Sequence, residues 1–403
     1  MNILLVCNKI PFPPNDGGSF ATYNMARGLV EAGNQVDLLA MNTSKHYSRE
    51  GILNTGIDGL NKTRDIYINN SVNYIRLFYN LLFSTLPYNA ECYIQEKFRA
   101  ILKEMLRECD YQVVQLEGLY LVPYAQTIRD NSNAIIVYRA HNIEHVIWES
   151  YYKREQNLFI KWYLNIFLKR LKRFELRYIN SYDLLVAVTE TDLKILNQIG
   201  NERPAAVASF GMYPDEFKDN NYSVGGDFCL QYIGALDWRP NLEALDWFID
   251  KVWKVLKIKY PTLMFQVAGR NAKDSYVKYL SSKGIEFMGE VKSSREFLSQ
   301  SGIIVVPLFS GSGIRVRVIE AMYMGKPIIS TSFAISGIPA EDGKQILLAD
   351  DDNAFVRSVD KLISEPGYAI KLGAGAKDFS TGHYDNRTIT AGLSDFYKNY
   401  LIC

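Results

Sequence analysis

Short apolar runs alternate along this chain with longer amphipathic stretches, and the alternation starts twice. In the first half Asn2–Cys7 reads as a strand, Gly17 and Gly18 as a turn, and residues 19–32 as a helix whose apolar positions are Phe20, Tyr23, Met25, Ala26, Leu29 and Val30. Residues 36–40 form the next strand, and 113–116, 134–138 and 184–188 follow. These runs are apolar nearly throughout, which marks strands covered on both faces, as in parallel sheets. The second half restarts with the strand Cys229–Ile233, a helix over 241–256 capped by Asn241, and the strand Met264–Ala268; Ile303–Val306 and 328–331 continue it. Strand-turn-helix-strand units build a doubly wound α/β sheet, which binds ligands beyond the carboxyl ends of its strands. Residues 209–225, rich in Gly, Pro, Asp, Asn and Tyr, read as a linker, with the domain boundary near Tyr222. At 403 residues, two domains of ordinary size, 1–222 and 223–383, are expected.

One stretch departs from this grammar. Ile160, Tyr163, Leu164, Phe167, Leu168, Leu171, Phe174 and Tyr178 fall at helical spacing, and the other face carries Lys161, Lys169, Lys172 and Arg173, with Lys153, Arg154, Arg170 and Arg177 adding to its basic character. The stripe predicts core packing with a solvated basic face; contact with a membrane surface is the alternative. The aromatic segment 77–88 reads as a buried helix and turn, with contact to a lipid-linked acceptor as its alternative.

Charge and cysteine content narrow the function. Lys+Arg 45 against Asp+Glu 44 leaves no basic surplus for a nucleic-acid partner, so any phosphate must be bound locally. Cys7, Cys92, Cys109, Cys229 and Cys403 are odd in number and lack Cys-x-x-Cys spacing, which argues against a disulfide framework and a zinc site and fits a reducing cytoplasm. The opening MNILLVCNKI has no basic n-region and no cleavage site, so it is read as a first strand. Residues 66–87 are broken by Asn69, Asn70, Asn73, Arg76 and Asn80, and no apolar segment reaches membrane-span length. A soluble or peripheral cytoplasmic protein is expected.

Chemistry concentrates in residues 310–331, SGSGIRVRVIEAMYMGKPIIST. After the strand Ile303–Val306, Gly311, Ser312 and Gly313 form a turn into a helix beginning near Ile314, whose backbone N–H groups and positive dipole end attract phosphate oxygens. Arg315 and Arg317 add full charges there. Glu320 accepts hydrogen bonds only and so suits vicinal hydroxyls. Together they suit a sugar nucleotide. In the first half, His141 follows the strand AIIVY at its ligand-facing end and is the catalytic candidate; His46, His145 and His383 lack that context. Glu117 and Glu144 are acceptor-contact candidates without an assigned role. No carboxylate pair is spaced for double displacement, and no Asp-x-Asp element is present to place a metal on a diphosphate.

The same spacing resembles the donor-site signature of the family 4 glycosyltransferases, Glu-x7-Glu followed by an Ala-Met-Ala-x-Gly-x-Pro-like run. Glu320 matches the second glutamate, and Ala321, Met322, Gly325, Lys326 and Pro327 follow in register, whereas the first glutamate position is Ser312. Contacts of that first carboxylate therefore do not carry over, and whether Ser312 or Arg315 stands in for it is left open. AVASFGMYPDEF resembles the family's interdomain stretch, Gly289-Glu290-Val291 its nucleobase-contacting Gly-x-Val element, and 384–403 its helix returning to the first domain. His141 resembles the family histidine. In place of the family's Arg and Lys after the first strand of the second domain stands a Trp-x-Pro-Asn variant, in which Arg239 takes part of the charge or Trp238 packs between domains.

The resemblance implies a GT-B fold, two Rossmann-like doubly wound domains facing a central cleft, and a retaining, metal-independent transferase without cofactor. Gly17, Gly18, Gly311, Ser312, Gly313, Ile314, Glu320 and Val291 would bind a nucleoside-diphosphate-sugar, with His141, Arg315 and Arg317 catalytic. The acceptor would be a saccharide or lipid-linked hydroxyl in bacterial cell-surface polysaccharide or glycolipid assembly, with peripheral contact at the cytoplasmic membrane face. A non-catalytic GT-B anchoring subunit and a nucleotide-sugar 2-epimerase are the alternatives.

Overall fold

The computed structural model describes residues 1–14, 16–49, 51, 56–217, 229–291, 293–300, 302–311 and 313–401. The chain divides into two compact units, Met1–Met212 with Asn386–Cys403, and Tyr213–Asp385. The expected boundary at Tyr222 lies outside the described residues.

The first unit is built on strands β1 (Asn2–Cys7), β2 (Gln35–Thr43), β3 (Leu60–Ile68), β4 (Val113–Glu117), β5 (Ile135–Ala140), β6 (Leu184–Ala187) and β7 (Ala205–Val207). They form one parallel sheet in the order β3-β2-β1-β4-β5-β6-β7, so the strand order reverses between β1 and β4. Register places Cys7 beside Glu117 and Glu117 beside Arg139 at the carboxyl edge. Period-two alternation then sorts the side chains. Leu4, Val6, Val114, Leu116, Ile136 and Tyr138 enter one core with Phe98, Leu102, Phe167 and Phe174. Ile3, Leu5, Cys7, Val113 and Val137 enter the other with Met25, Leu29, Leu393 and Tyr397. Gln115, Glu117 and Arg139 share the phase of that second face.

Two helices cover the second face. Gly17–Glu31 begins at Gly17 itself, so the expected Gly17-Gly18 turn is instead the helix's first turn: Asp16 is the N-cap, and its side chain accepts from the Ser19 amide. The helix Asn386–Leu401 lies against it through Gly28, where the Asn386 amide group donates to Asn24 O at 2.7 Å. On the opposite face, Leu158–Tyr178 is a helix with Leu164, Phe167, Leu171 and Phe174 buried as the stripe predicts. The 77–88 reading is corrected: Tyr74–Phe83 is a helix whose Phe78, Tyr79, Leu82 and Phe83 are exposed rather than buried.

The second unit repeats the plan with β8 (Cys229–Ile233), β9 (Met264–Ala268), β10 (Glu286–Gly289), β11 (Ile303–Val306), β12 (Ile328–Ser330) and β13 (Leu347–Leu348), ordered β10-β9-β8-β11-β12-β13 and parallel. The helix after β8 starts at Arg239, earlier than expected, because Pro240 fits the first helical turn. Trp238 is its N-cap, and Asn241, expected as the cap, donates its side-chain N–H to Ala235 O at 2.9 Å. A π turn, Ile249–Trp253, carries this helix into Lys254–Lys259.

The contact between the helices Gly17–Glu31 and Asn386–Leu401 is testable at Gly28. A Cβ there would lie 2.5 Å from Thr390 Cγ2 and 2.5 Å from the Asn386 amide nitrogen. Gly28→Val should cost about 1–3 kcal/mol from overpacking, with little recovered from helix propensity because valine is β-branched. Denaturant titration of the full chain reads this directly, and an unchanged midpoint would remove the contact.

Candidate functional site

At the carboxyl edge of the first sheet, Glu117 is 1% exposed and still ionised. Burial alone would lift its pKa, but Arg139 and His141 bring it down to about 2. Arg139 Nη1 donates to Oε2 at 3.1 Å, Thr22 Oγ1 at 3.3 Å, and His141 Nε2 lies 2.5 Å from the same oxygen; the Gln115 side chain donates to Oε1. Behind Gln115, Tyr397 Oη donates to its Oε1 at 2.5 Å. A carboxylate only accepts, so Nε2 of His141 carries the hydrogen and the ring is oriented by Glu117. Glu117 is thus a sealed positioning group, and the acceptor-contact candidacy is corrected: four donors fill it. His141, half-buried with its side chain 18% exposed, keeps an open side.

Next to His141, Glu175 caps the helix Glu144–Arg154 from the helix Leu158–Tyr178, accepting from the Glu144 and His145 amides at 3.2 and 3.3 Å and from His145 Nδ1. His145 is therefore structural. Desolvation, with Glu175 close by, lifts the Glu144 carboxyl to about 7, and Tyr120 Oη donates to it at 3.1 Å.

The Gly17-Gly18 end of its helix already holds an anion. Asp16 accepts from Ser19 N at 3.0 Å and pairs with Lys9 Nζ at 2.5 Å. Burial would raise the Asp16 pKa, but Lys9 takes it to about 2.

In the second unit, the loop after β11 turns through two glycines into a helix that starts later than expected. Gly311 and Gly313 have φ of 113° and 75°, a region that favours glycine, and the helix is Val316–Tyr323 rather than one beginning at Ile314. Arg315 precedes it as an N-cap with no side-chain cap, and the first turn carries no acidic residue, so no carboxylate caps it among the described residues. The Arg315 guanidinium donates to Gly313 O and lies 5.8 Å from the Phe333 ring, clasping the loop. Arg317 is exposed. Ser312 lies outside the described residues.

Glu320 is buried, and Ser294 Oγ donates to its Oε1 at 3.0 Å. Burial raises its pKa, opposed by Arg317, Ser294 and Arg295. The residues after it end the helix. Gly325, at φ 66°, donates to Met322 O at 2.9 Å and Lys326 N to Ala321 O at 3.0 Å, a Schellman motif. Lys326 Nζ donates to Gln300 O, and burial lowers its pKa to about 8.

Val291 is half-buried just beyond β10, on the same carboxyl edge as Gly311. Trp238 packs inside this unit, its ring edge 2.6 Å from where a Cβ on Gly311 would stand. Arg239 is committed to an exposed pair with Glu243 at 2.6 Å. Gln115, Thr22, Tyr397 and Ser294 were not expected; the one sequence signal was polar Gln115 and Glu117 at alternate positions of an otherwise apolar strand.

Comparison with known proteins gives the context. Residues 228–365 match the family described as Glycosyl transferases group 1, and residues 15–211 match Glycosyltransferase Family 4. A 44.6 kDa protein of the cps region of Klebsiella pneumoniae is 22% identical over 97% of this chain and 98% of its own length. Among solved structures, sucrose-phosphate synthase from Thermosynechococcus elongatus has a TM-score of 0.74 at 14% identity, covering 100% of this chain and 99% of that one. HepE of Anabaena in complex with UDP has a TM-score of 0.69 at 13% identity, covering 99% of this chain and 100% of that one.

Glu117→Gln keeps the shape and removes the charge, leaving the buried Arg139, whose Nε and Nη2 already lack hydrogen-bond partners among the described residues, without its countercharge. Near neutral pH it should cost about 3–5 kcal/mol, the range for breaking a buried pair. The folded pKa lies below the ordinary carboxylate value, so Glu117's contribution is full above that value and is lost as pH falls towards 2. The gap between wild type and variant in denaturant titrations should therefore narrow in acid. A pH-independent gap would contradict an ionised Glu117.

Proposed function

The chain belongs to the group 1, family 4 glycosyltransferases and has their GT-B fold, α/β with two Rossmann-like doubly wound units; from that premise we propose that it moves a sugar from a nucleoside-diphosphate-sugar to a hydroxyl acceptor with retention at the anomeric carbon. The observation that carries the donor reading is the uncapped start of helix Val316–Tyr323 behind two left-handed glycines, flanked by Arg315 and Arg317. Glu320 would accept from the ribose hydroxyls, and Gly311, Ser312, Gly313 and Ile314 would offer backbone to the diphosphate. Val291 backbone would meet the base. In the first unit, His141 is assigned to the donor sugar, its ring held by Glu117, while a donor contact at Gly17 and Gly18 would have to compete with the Asp16–Lys9 pair already on that helix start.

In the reaction the bond from the anomeric carbon to the diphosphate oxygen breaks, and its electron pair leaves with the diphosphate. The acceptor oxygen bonds to the same face, and its proton passes to the departing phosphate. Negative charge grows on the diphosphate as the bond stretches, where Arg317 and the helix-terminal amides act without reorganising. Arginines and amides take the place of a metal, so transfer is expected to continue in excess EDTA.

The location of the relative in a cps region is in keeping with a role in cell-surface polysaccharide assembly; a saccharide or lipid-linked acceptor at the cytoplasmic membrane face is proposed with it. HepE's complex with UDP makes uracil the base to test first. Incubation with UDP-, GDP- and CDP-sugars should show thermal protection and slow donor hydrolysis by one class. Protection by none, or a transfer product of inverted configuration, would overturn the proposal.

Two variants separate the roles. Arg317→Ala should lower kcat by roughly tenfold to a thousandfold with a smaller change in donor affinity, because its charge matters most as the leaving group forms. Glu320→Ala should instead weaken nucleoside-diphosphate binding, since a ribose contact is equal before and during reaction. Unchanged turnover in the first, or wild-type affinity by calorimetry in a folded second, would remove that residue from the site.

A further inference from the structure

The helix Tyr74–Phe83 is attached to its unit in an inverted way. A surface helix ordinarily turns its apolar stripe inward and its polar face to water. Here the one buried residue is Asn80, whose amide donates to Glu91 Oε2 at 2.5 Å and Leu86 O at 3.1 Å. Tyr74, Ile75, Phe78 and Phe83 are left in solvent, Phe83 at 77% exposure. The helix is held at its carbonyl end by Arg170 of the helix Leu158–Tyr178, which donates to Asn80 O at 2.9 Å and Leu81 O at 2.8 Å.

That second helix repeats the anomaly at its start, where Phe159 is 86% exposed and Trp162 is exposed beside it. Half of the large hydrophobic side chains that are exposed among the described residues lie in 72–83 and 158–162. Further along, its solvent side carries Lys169, Lys172, Arg173 and Arg177, while its single acid, Glu175, is buried as a helix cap. In a chain of balanced charge, an apolar aromatic surface continues into one that is mainly cationic, with exposed Glu149 of the helix Glu144–Arg154 near Lys172 as the acid beside it.

We propose that these two helices form a docking surface for an anionic bilayer. The aromatic and aliphatic side chains would enter the interfacial layer and the lysines and arginines would meet lipid phosphates. Charge complementarity chooses this occupant over a protein. Protein interfaces are depleted in lysine, whereas tyrosine, tryptophan and cationic side chains together are the composition of a membrane-water interface. No helix among the described residues is long and apolar enough to cross a membrane, so the contact is one of lying on the surface. The surface needs none of the residues assigned to the donor, so it stands or falls apart from the transfer reaction.

Flotation of the full-length protein with phosphatidylcholine vesicles, with and without phosphatidylglycerol, tests this. Wild type should float with the anionic vesicles and be released by salt. Lys169→Gln/Lys172→Gln/Arg173→Gln should lower partitioning by roughly a hundredfold at low salt, from about a kcal/mol per charge. Phe78→Ser/Phe83→Ser, both at exposed positions, should also abolish flotation, while both variants keep wild-type nucleoside-diphosphate binding as proof of folding. Wild type that stays unbound to anionic vesicles overturns the proposal. So does binding that is indifferent to both variants, or a wild-type dimer that the apolar variant splits without any vesicle binding, which would make the surface a protein interface.

Discussion

A negative charge held almost wholly out of water at the carboxyl edge of the first sheet sets the terms for the elements around it. Moving a carboxylate out of water costs several kcal/mol even after the protein relaxes, and the cost is offset only where partners fill its lone pairs. Glu117 meets that condition with four donors: Thr22 from the first helix, Gln115 from its own strand, Arg139 from β5 and His141 just beyond it. Since its pKa falls to about 2 despite burial, the partners win. The arrangement extends to the C-terminal helix, whose Tyr397 fixes the Gln115 amide and so the donor that Gln115 presents. A helix whose Tyr397 lies 282 residues from Gln115 in sequence thereby helps orient the imidazole.

The second unit shows the opposite economy. Its helix start after Gly311 is left without a side-chain cap, whereas the first helix of the other unit takes Asp16 and Lys9 onto its own end. A capped N-terminus has its positive end satisfied internally, and an uncapped one keeps it for an external anion. Trp238 and the Arg315 clasp hold the glycine loop in shape, so the opening is fixed rather than collapsed. The motif residues after Glu320 belong to architecture: they form the Schellman turn that ends the helix and carry the chain into β12, and Gly373 packs its Cα side against Gly325 O, where a Cβ would approach to 2.0 Å.

Strands were the most legible part of the sequence, because a strand covered on both faces is apolar at nearly every position. Asn2–Cys7, Cys229–Ile233, Met264–Ala268 and Ile303–Val306 fall at the bounds their apolar runs give. Helix starts were less legible: Pro240 draws one start forward past Asn241, and Arg315 stays outside the helix at Val316–Tyr323, where glycine-rich sequence leaves the first helical residue undetermined. The Glu117 cluster joins residues 22, 115, 117, 139, 141 and 397, and no local pattern relates positions brought together only by strand register. Periodicity groups side chains on one face of a helix but does not say what covers that face. The reading therefore held for residues 164–174 and failed for 77–83.

The departure at Ser312 can be weighed by charge. The related signature has a carboxylate at that position and a second at Glu320, whereas this chain has a neutral residue there and arginines at 315 and 317. Two unit charges about 4 Å apart near a protein surface interact by about 4 kcal/mol at an effective dielectric of 20, and such figures are reduced by solvent and salt. About a quarter of that would equal one neutral hydrogen bond of about 1 kcal/mol. Glu320 remains, but burial raises its pKa and Arg317 opposes that shift, so its charge is partly answered within the unit. By sequence charge the loop is thus more positive than the two-carboxylate signature would make it, which accords with the donor role proposed for it.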